Sequence, residues 1–399
     1  MVNKKAEQLG KSPSVIRDLF EYGKKRKQEI GEKNVFDFSI GNPNVPPPKS
    51  INKALINILQ TYEPTLLHGY TSAVGDKNVR DKISNYLNKT YNAKTDSNLI
   101  YLTVGAAASL TCTLNALLNE GEEVIVFAPF FPEYKVFIEK AGGVVNVVKP
   151  LEPSLIPDFN AFENSITNKT KAVIINSPNN PTGVVLKDKD IQKISDILNK
   201  KQKEFGKEIY LISDEPYREL IYEDISYPFI TNYYDNSIIC YSFSKSVSLP
   251  GERIGYILVN PNCKDASDVF FAVCGSGRSL GYVCAPSLFQ FVLPCCLGIT
   301  SDISIYKANR DLLYNTLIEY GYDVVKPDGA FYLFVKALEE DANKFSEEAK
   351  KFELLLVPSD SFGHKGYVRI SYCVSTEQVK ASLPSFKKLK EHYSKKSEN

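Results

Sequence analysis

The sequence predicts an α/β protein in which a mostly parallel central sheet forms a large domain beside a smaller α+β domain. Two observations carry this. Between residues 99 and 259, short β-branched apolar runs alternate with helical patterns, as in parallel sheets covered on both faces. After about residue 286 the alternation stops, and a long helical stretch precedes two short strand-like runs and a terminal helix. At 399 residues the chain can fill two closely associated domains.

Taken in order, an amphipathic stretch with Val15, Ile16, Leu19 and Phe20 runs into Lys24-Lys25-Arg26-Lys27, read as a solvated helix face. Prolines at 43, 46, 47 and 48 exclude helix and central strand from residues 41–48, because proline lacks the donor. That segment is read as an extended crossing between domains. Strands are expected at 99–104, 123–128, 144–148, 172–176, 208–213, 237–242 and 254–259, with helices from Ala106 and over 133–141 and 188–200. A helix over 301–320, ended by Gly321, precedes strand-like runs at 330–336 and 366–372. The expected boundaries are 46–285 for the large domain, and 1–45 plus 286–399 for the small one.

Charge is balanced, with 48 Lys+Arg against 47 Asp+Glu, so neither nucleic acid nor an anionic membrane is expected as partner. The N-terminus has no apolar core or small-residue cleavage site, and no uncharged apolar run approaches ~20 residues. A cytoplasmic protein is the expectation. The cysteines are scattered without a C-x-x-C pair and read as buried thiols, and no metal site is expected from three dispersed histidines.

Chemistry concentrates at the ends of the predicted strands. Asp214 closes an apolar run, and a carboxylate there lies where parallel sheets bind ligands, although a helix-capping aspartate has the same look. Tyr217 follows three residues on. Asn180 sits in Ser-Pro-Asn-Asn-Pro-Thr-Gly (177–183), a turn too particular for a plain Asn-Pro corner. Lys245 lies in Ser-Phe-Ser-Lys (242–245), between the hydroxyls of Ser242, Ser244 and Ser246, and Arg253 follows a Pro-Gly turn.

Gly105, Ala106 and Ala107 open a helix after a strand, where small residues let backbone N–H groups approach a phosphate. Phe131 could stack on a ring or simply pack. Arg369 lies mid-strand between apolar residues and needs an anionic partner, either an internal carboxylate or a substrate's. Together these residues can hold pyridoxal 5'-phosphate, which needs an amine, an anion at its ring nitrogen, donors at its phenolic oxygen and a cation at its phosphate. Gly275-Ser276-Gly277 lacks the spacing of a dinucleotide fingerprint, which leaves a nucleotide-binding reading without a motif.

As a set and in this order, these motifs resemble the class I/II aminotransferases of the fold-type I pyridoxal-phosphate-dependent family, aspartate aminotransferase-like, over nearly the whole chain. The resemblance implies that Lys245 is the imine lysine and proton shuttle, Asp214 the pyridinium partner, and Asn180 and Tyr217 the donors to the phenolic oxygen. It makes Ser242 and Arg253 phosphate ligands, Arg369 the clamp on the substrate α-carboxylate, and Gly41 the glycine whose backbone meets that carboxylate. Tyr70 matches a tyrosine that reaches the neighbouring subunit's phosphate, so a homodimer with shared sites is implied. Phe131 stands where many relatives carry tryptophan or tyrosine, and Ala106 and Ala107 offer backbone donors alone. No second arginine for a distal carboxylate is assignable from the motifs, Arg278 being a guess.

The implied reaction is ping-pong transfer of an amino group from an L-amino acid to 2-oxoglutarate. Aspartate is the first choice of donor, and aromatic amino acids and alanine come next. Rival readings are a C–S β-lyase on the same cofactor and a non-catalytic cofactor-binding sensor; the latter lacks a DNA-binding segment before Gly41.

Overall fold

The structure, a computed structural model, describes residues 2–11 and 14–397. Seven strands form the central sheet: β1 (Ile100–Thr103), β2 (Glu123–Phe127), β3 (Val144–Val148), β4 (Thr170–Asn176), β5 (Tyr210–Asp214), β6 (Ser237–Ser242) and β7 (Gly255–Val259). Their spatial order is β1-β7-β6-β5-β4-β2-β3. Neighbours from β6 to β3 are parallel, whereas β7 runs antiparallel to both β1 and β6. Every position of β1, β5, β6 and β7 is buried, which is why these strands read as continuous apolar runs.

Side-chain alternation divides the strands between two cores. Ile125, Val173, Ile175, Leu211 and Ile239 pack on one face, and Val124, Ile174, Ile212 and Cys240 on the other. Burying each such aliphatic side chain contributes about 1.5–3 kcal/mol. The helices that matter to the site are α1 (Val15–Ile30), α2 (Ala106–Leu117), α3 (Glu133–Lys140), α4 (Asp188–Phe205), α5 (Phe243–Ser246), α6 (Ile303–Glu319) and α7 (Thr376–Ser397). Helix α4 shows how sequence makes an element here. Asp190 caps its own first turn, Ile191, Ile194 and Leu198 form the buried stripe, and Gly206 ends it in the left-handed region.

A second, antiparallel sheet comprises β8 (Val324–Val325), β9 (Tyr332–Lys336), β10 (Val357–Pro358) and β11 (Tyr367–Ser371), in the order β8-β9-β11-β10. Its core takes Leu313 and Leu317 of α6 and Val379, Phe386 and Leu389 of α7. Phe36–Asp37 pairs with Leu354–Leu355 beside it. Residues 41–48 then run without regular structure to helix Lys49–Thr61, whose Ile51 and Ile58 belong to the central-sheet core. We propose a two-domain division on this packing, with residues 286–299 joined to the large domain because Val292, Leu293 and Cys296 pack in its core.

Three expectations change. The basic run on α1 is only half solvated: Arg26 pairs with Glu353 and Lys27 with Asp37, which fastens α1 to the Phe36–Asp37 and Leu354–Leu355 strand pair. The cysteines are free, but Cys295 is exposed and Cys274 and Cys284 are half-buried, because they lie on surface helices and loops rather than in strands. Strand β5 also extends one residue beyond the expected 208–213 run and takes in Asp214. No described helix is long and apolar enough to cross a membrane.

Candidate active site

Because β7 is antiparallel to both β1 and β6, the carboxyl ends of β1, β4, β5 and β6 share one edge of the sheet. A cavity of ≈ 290 Å³ opens there. Gly41, Ala106, Ala107, Phe131, Asn180, Asp214, Tyr217, Ser242, Lys245, Arg253 and Arg369 all line it. Gly105 lies just behind, as the residue before α2. Tyr70 stands apart from this cavity, 90% exposed. Arg278 is exposed on helix Ala266–Ser279 and outside the lining.

Asp214 is buried at the floor. One carboxylate oxygen accepts from the Tyr134 hydroxyl at 2.5 Å, while the other, Oδ1, has no protein partner. Burial pushes its pKa up to about 7; the Tyr134 hydrogen bond opposes the shift and the Glu215 charge adds to it. Asn176, opposite Asp214 in the β4–β5 register, donates to the Asp214 carbonyl at 2.8 Å and accepts from the Asn180 N–H at 2.8 Å. Asn180 in turn accepts from Arg369 Nη1 at 3.0 Å.

Arg369 reaches this edge from the middle of β11. Its Nη2 donates to the Ser39 carbonyl, its guanidinium lies 4.7 Å from the Tyr332 ring centroid, and its buried Nε has no partner. Desolvation lowers its pKa, and no carboxylate pairs with it among the described contacts. Of the two readings open for this residue, the internal ion pair is therefore absent among the described residues. Tyr217 and Tyr332 share a hydroxyl hydrogen bond of 2.8 Å.

Lys245 sits in the four-residue helical turn α5, begun by Ser242, whose Oγ accepts from the Ser244 N–H. Its Nζ donates to the Gly41 carbonyl at 2.6 Å. Desolvation lowers its pKa to about 8, and the charges of Arg253 and Arg369 push the same way. The shift brings the amine closer to neutral pH than an ordinary lysine, raising the fraction that is free to act as a base. Gly41 must be glycine, since a Cβ there would collide with the Tyr332 hydroxyl.

At the other end, Arg253 donates to Ser244 Oγ and to the Pro250 and Val104 carbonyls. Gly105 has φ +91°, and a Cβ there would lie 2.5 Å from Arg253 Nη2, so glycine brings guanidinium and helix start together. The first-turn N–H groups of α2 have no intrahelical acceptor and lie beside Arg253, which makes an anion site at a positive helix end.

Sequence reasoning missed Asn176, Tyr134, Tyr332 and Ile16. Asn176 ends β4 as Asp214 ends β5, so the same strand-end argument reaches it. Tyr134 and Tyr332 carry no comparable local signal, because their partners lie 80 and 115 residues away. Ile16 lines the mouth from α1, brought there by packing alone.

A family model described as aminotransferase class I and II matches residues 33–385. The chain is 30% identical to the aspartate aminotransferase of Thermotoga maritima over 355 residues, 88% of this chain and 90% of that one. It is 31% identical to the aspartate aminotransferase of Pyrococcus abyssi over 398 residues, covering 95% and 96%. Among solved structures, an amino transferase from Eubacterium rectale superposes with a TM-score of 0.97 at 51% identity, covering 98% of this chain and 99% of that one. The Thermotoga maritima aspartate aminotransferase structure gives a TM-score of 0.85 at 29% identity, covering 97% and 99%. A matched model over most of the chain, carried on a mostly parallel sheet with its motifs at one edge, is decisive: the chain belongs to the class I and II aminotransferases, enzymes of the aspartate aminotransferase-like fold that depend on pyridoxal 5'-phosphate.

Proposed function

We propose that this aminotransferase transfers the amino group of an L-amino acid to 2-oxoglutarate in two half-reactions at one site, with aspartate as the first donor to test. The observation that carries the reading is the convergence of an amine, a carboxyl and a guanidinium (Lys245, Asp214, Arg369) on one cavity, each with unused capacity. The aspartate choice leans on the names of the relatives at about 30% identity.

The residues present fit the cofactor. Asp214 Oδ1, buried and unpartnered, suits a protonated ring nitrogen, and Asn180 and Tyr217 suit the phenolic oxygen. Arg253, Ser242, Gly105 and the first amides of α2 suit the phosphate, and Phe131 suits the ring face. Bound, the cofactor supplies an electron sink for charge developing at the substrate α-carbon. Lys245 is the group that takes the α-proton and returns it. Arg369 grips the α-carboxylate, with Asn180 steadying its Nη1 and Gly41 leaving the backbone room. Ile16, Ile40 and Phe131 add apolar surface to the cavity lining.

We also propose a homodimer in which Tyr70 serves the partner's phosphate. Its 90% exposure, with Ile56, Leu59 and Leu66 exposed on the same stretch, supports that reading. One observation favours a second donor class. Arg253 and Arg369 are the arginines of the lining, while Ile16, Ile40 and Pro216 form an apolar wall, which suits an aromatic amino acid or alanine.

A donor panel with 2-oxoglutarate decides between them. Aspartate turnover well above phenylalanine and alanine supports the first reading, and the reverse order supports the second. Pyruvate and ammonia released from cysteine conjugates without any keto-acid acceptor would replace both with β-elimination. Borohydride reduction of the holoenzyme is expected to fix the cofactor onto Lys245, read by peptide mass spectrometry.

A further inference from the structure

On the face of the sheet opposite Asp214, a charged cluster is sealed among aromatic rings. Glu215 is fully buried, and its neighbours Tyr241, Tyr256 and Phe229 belong to one core, whereas Tyr134 and Cys240 beside Asp214 belong to the other. Arg218 donates from Nε to Glu215 Oε2 at 2.6 Å and from Nη1 to the Tyr256 hydroxyl at 3.1 Å. Its guanidinium carbon lies 4.4 Å from the Tyr241 ring centroid and 5.3 Å from that of Phe229. The Tyr241 hydroxyl then donates to Glu219 Oε1 at 3.0 Å and lies 3.1 Å from Ser246 Oγ, the neighbour of Lys245.

We propose that Arg218 is a positioning residue for amino transfer: held between Glu215 and the Tyr241 ring, it ties the segment bearing Asp214 and Tyr217 to the turn bearing Lys245. The proposal rests on the assignment of Lys245 as the reacting amine. Stability does not account for such a cluster, because buried ion pairs are commonly matched or bettered by apolar side chains of similar volume. What the planar fork supplies is direction, fixing a carboxylate and a hydroxyl at set angles. Helix α5 is a single turn and cannot hold Lys245 by its own ladder. Besides Arg253 at Ser244 Oγ and the Phe243 N–H on the Ile254 carbonyl, its outside supports include Tyr241 at Ser246 Oγ and the Ser301 N–H, which donates to the Ser246 carbonyl at 2.8 Å.

Two variants test this. Tyr241→Phe keeps the ring over Arg218 and removes the hydroxyl joint, and Arg218→Lys keeps the charge and loses the fork. In cofactor-stripped protein, lysines are acetylated with acetic anhydride across a pH series, and the Lys245 peptide is quantified against exposed Lys25. Both variants are expected to change the relative Lys245 rate by roughly three- to tenfold, with kcat falling by a similar factor and KM unchanged, the scale of one lost hydrogen bond. Wild-type labelling and kcat in both variants would overturn the proposal. If Arg218→Lys does not fold, Tyr241→Phe decides alone. Failure of borohydride to fix cofactor on Lys245 in the unaltered enzyme is a separate failure, of the underlying assignment.

Discussion

The central sheet delivers its share of the cavity from the carboxyl ends of β1, β4, β5 and β6 and the residues just after them, whereas the smaller sheet delivers Arg369 and Tyr332 from its strands. The strand-end groups come in short runs with a recognisable order: Asp214 with Tyr217, Ser242 with Lys245, Gly105 with Ala106. The groups from the smaller sheet are single residues whose partners lie far off in the chain, as when Arg369 meets Asn180 across 189 positions. The difference is physical. A parallel strand ends at a fixed edge, so the residues just after it face ligand. An antiparallel strand exposes a site residue only where another domain happens to meet it.

The division predicts distinct phenotypes. Breaking the central-sheet side at its centre has the largest effect. Lys245→Ala should lower kcat by at least about 10³-fold, judged from general acid–base contributions, measured in a coupled keto-acid assay. Breaking the smaller-sheet side should spare the cofactor. Arg369→Gln should raise KM for the amino acid by roughly 10–100-fold, as a charged hydrogen-bond pair is worth about 1.5–3 kcal/mol. Cofactor retention on gel filtration should stay at the wild-type level.

A pH series sharpens the comparison through Asp214. Folded, its carboxyl titrates at about 7 against an ordinary 3.8, so between these values the folded state holds a proton that the unfolded chain has released. Stability of the cofactor-free protein should therefore fall as pH rises through that window, by up to about 4 kcal/mol. Urea midpoints of wild type and Asp214→Asn should separate across that range, with the variant curve flatter. A slope identical in both would mean that the acid is not held neutral by burial.

The smallest effect belongs to the anion end. Gly105→Ala forces a Cβ to within 2.5 Å of Arg253 Nη2 at a left-handed φ, which should weaken cofactor affinity by roughly five- to tenfold, about 1 kcal/mol of backbone strain. Equilibrium titration of stripped protein with the cofactor measures it.

Much of the site was legible because it is local. The turn 177–183 and the runs 214–217 and 242–255 each carry their chemistry within a few residues, and the end of an apolar strand made Asp214 a candidate that its company with the other motifs raised above a helix cap. Sequence likewise determined the sheet, since strands buried on both faces must read as continuous apolar runs between amphipathic helices such as α4. Other parts were decided only by folding. Tyr134 reaches Asp214, Tyr332 reaches Tyr217, and Ile16 reaches the mouth because separate elements pack there, and no spacing in the chain encodes those meetings. The same holds for the two pKa shifts at the centre. How far the carboxyl's pKa rises and the amine's falls depends on how much water is excluded around them, a property of the packed interior that no single segment possesses.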